Sequence, residues 1–185
     1  NYIIIALVAL SATIASCNKY LDINKSPNTA EEVDPKLLFS FASTSYVNLR
    51  SSGDYFIPFS LVGQSVATGG NNPTGWGIPS EEQYDVSPFS TGNTWRSLYV
   101  SVGANLVQAI KLAESSAPKN NNAAAQCKVL LALASYDLTT IYGDVPFTEA
   151  WNVDVQYPKF DPQKTVLEGV VAKLDEALAQ FDEAS

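Results

Sequence analysis

The sequence predicts an all-α protein of helix hairpins joined by long irregular loops. Three observations lead there. Apolar residues recur at three- and four-residue spacing over several segments, as on one face of a helix. Two of those segments open on an Asp-Pro pair, Asp34-Pro35 and Asp161-Pro162, where Asp can cap a helix and Pro suits its first turn. Gly and Pro clusters punctuate the chain between the periodic stretches.

Taken in order, residues 2–10 read Tyr-Ile-Ile-Ile-Ala-Leu-Val-Ala-Leu, small residues fill 11–16, and Cys17 follows with no charge before Lys19. An apolar run of about nine residues suits a signal-peptide core and is too short to span a bilayer. The tail Ile14-Ala15-Ser16-Cys17 resembles a bacterial lipobox, in which small residues let a peptidase grip the backbone before a Cys that becomes lipidated. Residues 1–16 are therefore expected to be a lipoprotein signal peptide, with Cys17 the lipidated residue. Lipid chains contribute about 0.8 kcal/mol per buried CH₂, so two or more anchor a protein durably. Residues 17–34 read as a polar tether with Tyr20, Leu21 and Ile23 available to pack on the body.

Helical spacing then runs from Asp34-Pro35 through Leu38, Phe41, Ala42, Ser45 and Leu49, and a second apolar stretch from Tyr55 to Ala67 suggests another helix. Residues 68–93 hold several Gly and Pro with polar residues between, and structureless loops of that length are uncommon and often functional. From Thr94 the helical period returns through Leu98, Val102, Asn105, Leu106, Ala109, Ile110 and Ala113. Lys119-Asn120-Asn121-Asn122 makes a turn, and a helix from about Ala123 to Ile141 carries so few charges that it should be buried on several sides. Gly143 and Pro146 stop it. After a connector containing Trp151, Tyr157 and Phe160, Asp161-Pro162 starts a last helix. Its stripe is Val166/Leu167, Val170/Val171, Leu174, Leu178 and Phe181, with Lys173, Asp175, Glu176 and Gln180 assigned to the solvated face. That stripe must be buried on something, either the preceding hairpin or, the favoured expectation, a partner beyond residue 185. Asp137 and Asp144 read as a helix-end pair, and Cys127 as a small core residue.

Composition restricts the chemistry. The 185 residues carry 11 Lys and Arg against 19 Asp and Glu, a net charge of −8, and contain no His and two Cys. An acidic surface without a basic block argues against a nucleic-acid partner. The lack of His removes the commonest general base and metal ligand, and two Cys do not make a Cys-based zinc site. No cofactor or metal is expected. The chain has no Met, even at residue 1, so it is expected to be part of a longer protein.

Four ordered segments resemble the SusD/RagB family of Bacteroidetes outer-membrane lipoproteins: Cys17-Asn18-Lys19-Tyr20-Leu21-Asp22; Trp95-Arg96-Ser97-Leu98-Tyr99 with Asn105; Tyr136-Asp137-Leu138 through Tyr142-Gly143-Asp144-Val145-Pro146-Phe147; and Pro158 to Leu178. The third is the most specific. The resemblance implies a SusD-like fold of tetratricopeptide-like helix hairpins, with residues 35–185 the N-terminal part of a larger helical domain. It also implies a non-catalytic lipoprotein, lipid-anchored in the outer membrane and facing outward. Such a protein captures glycans or peptides for import through a SusC-like TonB-dependent transporter.

Sugar recognition needs an aromatic face beside amide or carboxylate side chains. The 68–93 loop offers Trp76 and Tyr84 with Asn72, Gln83 and Asp85 as candidate ligand residues. Gln83-Tyr84 stands where the starch-binding member has Gln followed by Trp. Trp76 reads equally as a loop anchor, while Trp95, Tyr99 and Trp151 read as packing residues. Two rival functions follow from the same residues. One is a helical protein-interaction scaffold. The other is a glycoside hydrolase using Glu81, Glu82 or Asp85, disfavoured because adjacent acids in a polar loop are ordinarily just solvated.

Overall fold

The computed structural model describes residues 33–51 and 88–182. The expected signal segment, the tether, the Tyr55–Ala67 helix and most of the 68–93 loop lie outside the described residues. Those described are mainly helical, with one isolated antiparallel bridge between Val145 and Asp161. Helix α1 is Pro35–Ser51 and α2 is Pro88–Arg96; a π-helical stretch, Ser97–Ala104, leads directly into α3, Asn105–Ser115. Helix α4 is Asn121–Tyr142 and α5 is Gln163–Gln180. Helix α1 packs on α3 and the π stretch, α3 on α4, and α4 most extensively on α5.

The core lies where these faces meet. Leu98, Val102, Leu106 and Ala109 come from the central rod; Ala42, Tyr46 and Leu49 from α1; Cys127, Leu131, Ala134 and Leu138 from α4. Each fully buried aliphatic side chain of this kind stabilises the fold by about 1.5–3 kcal/mol. Ala124, Ala125, Ala132 and Ala134 are all buried along α4, so its short side chains let neighbours approach on more than one side. The same burial pushes the Cys127 thiol up to about 11.

Several local devices set the helix ends. Asp34 Oδ1 accepts from the Lys36 amide at 2.8 Å, as the Asp-Pro start predicts. Asn120 Oδ1 accepts from the Ala123 amide at 3.0 Å and caps α4. Gly143, at φ +79, closes α4 in a conformation that side chains resist. Where the π stretch returns to α pairing, the change from i→i−5 to i→i−4 bonds skips a carbonyl. The Asn105 side-chain amide donates there, to Val100 O at 3.2 Å and Ser101 O at 3.0 Å.

The structure departs from the sequence reading at definite points. The rod begins at Pro88, not Thr94; Pro suits a first helical turn, where its missing N–H costs nothing. On α1, Phe41 faces outward while Tyr46 is buried, because the Tyr46 hydroxyl donates to Asp137 Oδ2 at 2.7 Å and accepts from Arg50 at 3.0 Å. Asp137 and Asp144 are consequently not a pair. Asp137 is tied to α1, whereas Asp144 Oδ1 accepts from the Gln163 amide at 2.9 Å and caps α5.

Helix α5 folds back on α4, one of the two placements the sequence allows for its stripe. The pair is pinned by Gln163 Nε2 donating to Thr139 O at one end, and by Asn122 and Asp182 exchanging two hydrogen bonds at the other. Val166, Val170 and Ala177 are buried in the contact, yet Val171, Leu174 and Leu178 stay exposed, Leu178 at 75%. Lys173 and Gln180, read as solvated, are half-buried instead. The seam is polar because Lys128 reaches from α4 to Glu114 at 2.8 Å and Glu176 at 4.0 Å, and Gln180 donates to Glu114 at 3.2 Å. The Lys128 contact is the main reason that the Glu114 carboxyl is held below its ordinary range.

Asp161 does not cap its own helix either; it closes the connector. Its backbone pairs with Val145 through N–H···O bonds of 3.2 and 3.0 Å. Its carboxylate accepts from the Phe147 amide at 3.1 Å, the Thr148 amide at 2.7 Å and the Thr148 hydroxyl at 2.9 Å. Burial pushes this carboxyl up, but the Thr148 and Phe147 donors and nearby Lys159 outweigh it and hold it below the usual carboxylate range. A depressed folded pKa gives stability that is complete above the unfolded value, about 3.9, and is lost as pH falls through the folded one. We therefore predict that acid unfolding sets in below about pH 4. Asp161→Ala should cost about 2–4 kcal/mol at neutral pH by leaving three donors unpaired and should flatten that acid limb, as urea titrations at several pH values would measure.

Candidate functional site

The candidate ligand residues Trp76, Tyr84, Asn72, Gln83 and Asp85, and the expected lipidation residue Cys17, lie outside the described residues. The described structure begins again at Pro88, so the chain leaving the aromatic loop passes directly into α2, and seven residues later reaches Trp95. What α2 is anchored to is therefore the structural base of the candidate site.

That base is an aromatic column. The Trp95 ring lies 4.8 Å from Tyr99, one helical turn on, and 5.0 Å edge-on from Tyr142 at the end of α4. Tyr99 lies 5.5 Å from Trp151. Pairs at these separations gain about 0.5–1.5 kcal/mol beyond the area they bury. Two hydrogen bonds tie the column to the connector: the Tyr99 hydroxyl donates to Pro146 O at 2.7 Å, and Trp151 Nε1 donates to Tyr99 O at 2.7 Å. Burial, with the Asp161 charge nearby, pushes the Tyr99 phenol well up, so it remains a hydrogen-bond donor.

Two glycines make room for the connector's rings. The Trp151 indole lies against Gly103, and the Phe147 ring against Gly169 of α5, each where a Cβ would collide with the ring. Trp151 itself has φ 59, a left-handed conformation that bulky residues adopt only when their surroundings over-determine it. The indole hydrogen bond, the Gly103 contact and the Tyr99 ring supply that determination.

The reading of Trp95, Tyr99 and Trp151 as packing residues agrees with this geometry. Sequence reasoning missed Phe160. Its ring stacks on Trp95 at 6.1 Å and 23° while remaining 63% exposed, and Tyr157 nearby in the chain is 84% exposed. The connector has no regular period, so no pattern in the sequence marks which of its aromatics face outward. The column thus runs from the core to a flat, solvent-facing ring, a surface of the kind that stacks on the apolar C–H face of a sugar. Among the described residues, no group of three His, Cys, Asp or Glu could hold a metal ion, and no helix is long and apolar enough to cross a membrane.

Two substitutions test the column. Trp151→Ala should cost about 3–5 kcal/mol, and Gly103→Ala about 1–3 kcal/mol by displacing the indole. Because both act on one contact, the double variant should cost clearly less than the sum, measurable as a double-mutant cycle by chemical denaturation.

Comparison with known proteins supplies the context for this architecture. No curated protein matches the chain. A family profile described as starch-binding, associating with outer membrane, matches residues 27–185, a span that includes every described element from α1 to α5. The chain belongs to this SusD-like family.

Proposed function

We propose that the protein is a non-catalytic, lipid-anchored binding protein of the outer membrane, facing outward. In this reading it captures glycans, or in the alternative oligopeptides, for import through a SusC-like TonB-dependent transporter. The observation that carries the proposal is the family match over residues 27–185. The lipobox-like segment ending at Cys17 supports the anchor, and the exposed Phe160 ring stacked on Trp95 supports an aromatic binding surface. In the proposal, Trp76 and Tyr84 provide stacking faces, and Asn72, Gln83 and Asp85 bond the hydroxyl rim of the ligand.

A second reading, a helical scaffold that binds other proteins, is favoured by one feature. Leu133 and Tyr136 of α4, and Val171, Leu174 and Leu178 of α5, are all exposed. Exposed apolar side chains on two adjacent helices are what a protein-interaction face presents.

Retention on polysaccharide affinity gels separates the two. The wild-type protein should be retarded by a soluble α-glucan, and Trp76→Ala and Tyr84→Ala should each weaken binding roughly three- to ten-fold, the loss expected for one stacked ring. Wild-type retention by both variants would remove this loop as the platform, and no retention of any polysaccharide would favour the scaffold. For the anchor, Cys17→Ser in the exported protein should move it from the membrane fraction to the soluble fraction on cell fractionation.

A further inference from the structure

A groove of about 440 Å³ lies between the first turn of α1, the end of α3 and the start of α4, the end of α4 opposite Tyr142 of the aromatic column. That volume falls within the roughly 300–1,000 Å³ of ordinary ligand pockets. Phe39, Ala113, Ala123 and Cys127 supply its apolar lining. The polar lining includes Asn120 and Gln126, and the single charges of Asp34 and Lys36 are opposite in sign.

The wall is built before any ligand arrives. Ser116 Oγ lies 2.8 Å from both Ala113 O and Pro118 O, and accepts from the Asn120 amide at 3.2 Å. The Asn120 amide also donates to Ala113 O at 3.0 Å. Asn120 spends its side-chain oxygen on the Ala123 amide at 3.0 Å, which leaves the side-chain NH₂ as a donor, and the side chain of exposed Gln126 makes no hydrogen bond among the described residues.

The chemistry selects a ligand class. A phosphate or other anion would want several cations, and this groove has one, beside an acid. A purely apolar ligand would leave the amides of Asn120 and Gln126 unused. One aromatic ring, an apolar floor, a donating Asn120 amide and a Gln126 amide that can donate and accept fit a ligand with a flat C–H face and hydroxyl groups at its edge. We propose that this groove is a second saccharide site, built from residues other than those of the 68–93 loop, with Phe39 as the stacking ring and Asn120 and Gln126 as the hydroxyl contacts. The choice of saccharide rests on the functional reading above.

The test titrates maltoheptaose into the ¹⁵N-labelled full chain and follows backbone amides by NMR. The proposal expects saturable shifts at Phe39, Ala123 and Gln126 that persist in the Trp76→Ala/Tyr84→Ala double variant. Gln126→Ala should weaken the groove affinity roughly five- to ten-fold, as for one lost neutral hydrogen bond. Phe39→Leu, which keeps the apolar volume but removes the flat face, should weaken it similarly. Shifts confined to residues 68–87 would overturn the groove site and leave the functional reading standing. An absence of shifts at both places would overturn both. Groove shifts whose affinity neither Gln126→Ala nor Phe39→Leu changes would overturn the assigned contacts and with them the proposal.

Discussion

The buried carboxylate of Asp161 is the constraint on which the arrangement of the described helices depends. The segment between α4 and α5 has no regular structure, and its backbone polar groups need partners as much as those of a helix do. Asp161 supplies them, pairing its backbone with Val145 and holding the Phe147 and Thr148 amides with its side chain. Once those residues are fixed, Phe147 is set against Gly169 and Trp151 against Gly103. The first contact locates α5, and the second locates the rod formed by α2, the π stretch and α3. A single charge-assisted cluster thereby places an irregular segment between two helices that do not follow one another in the chain.

The aromatic column continues the same logic toward the surface. Trp95 enters from the loop side of the chain, Tyr142 from the end of α4, and Tyr99 and Trp151 lock to each other and to Pro146. Phe160, one residue before the Asp161 clamp, is the ring left facing solvent. A surface aromatic is useful for binding when it is stiff, because little freedom is then lost on contact. The clamp beneath it and the Trp95 ring behind it provide that stiffness. The described helices and the connector thus hold the rings of the column in place.

Periodicity made the helices legible, together with the caps at Asp34 and the stop at Gly143, because these depend on residues close in sequence. The all-α class and the order of elements follow from that local information. The motif resemblance extended it to the family, since four ordered segments preserve residue types that a lone helical stripe would not. Charge and composition weighed against broad chemistries without knowledge of where residues meet.

Tertiary structure decided what lies far apart in sequence. That Asp144 caps α5, that Asp161 serves the connector, and that Asp137 draws Tyr46 inward are partnerships across 19, 13 and 91 positions, and no spacing rule reaches so far. The rotation of α5 likewise depends on what it meets: Val166, Val170 and Ala177 turn inward, Gln180 reaches Glu114, and Leu178 is left outside. Within the described residues the sequence alone located the helices, apart from the six residues before Thr94, and pointed to the family, through short-range periodicity and ordered motifs. Which face each helix buries, and which aromatic reaches the solvent, were settled only when long-range hydrogen bonds and ring contacts competed for the same side chains.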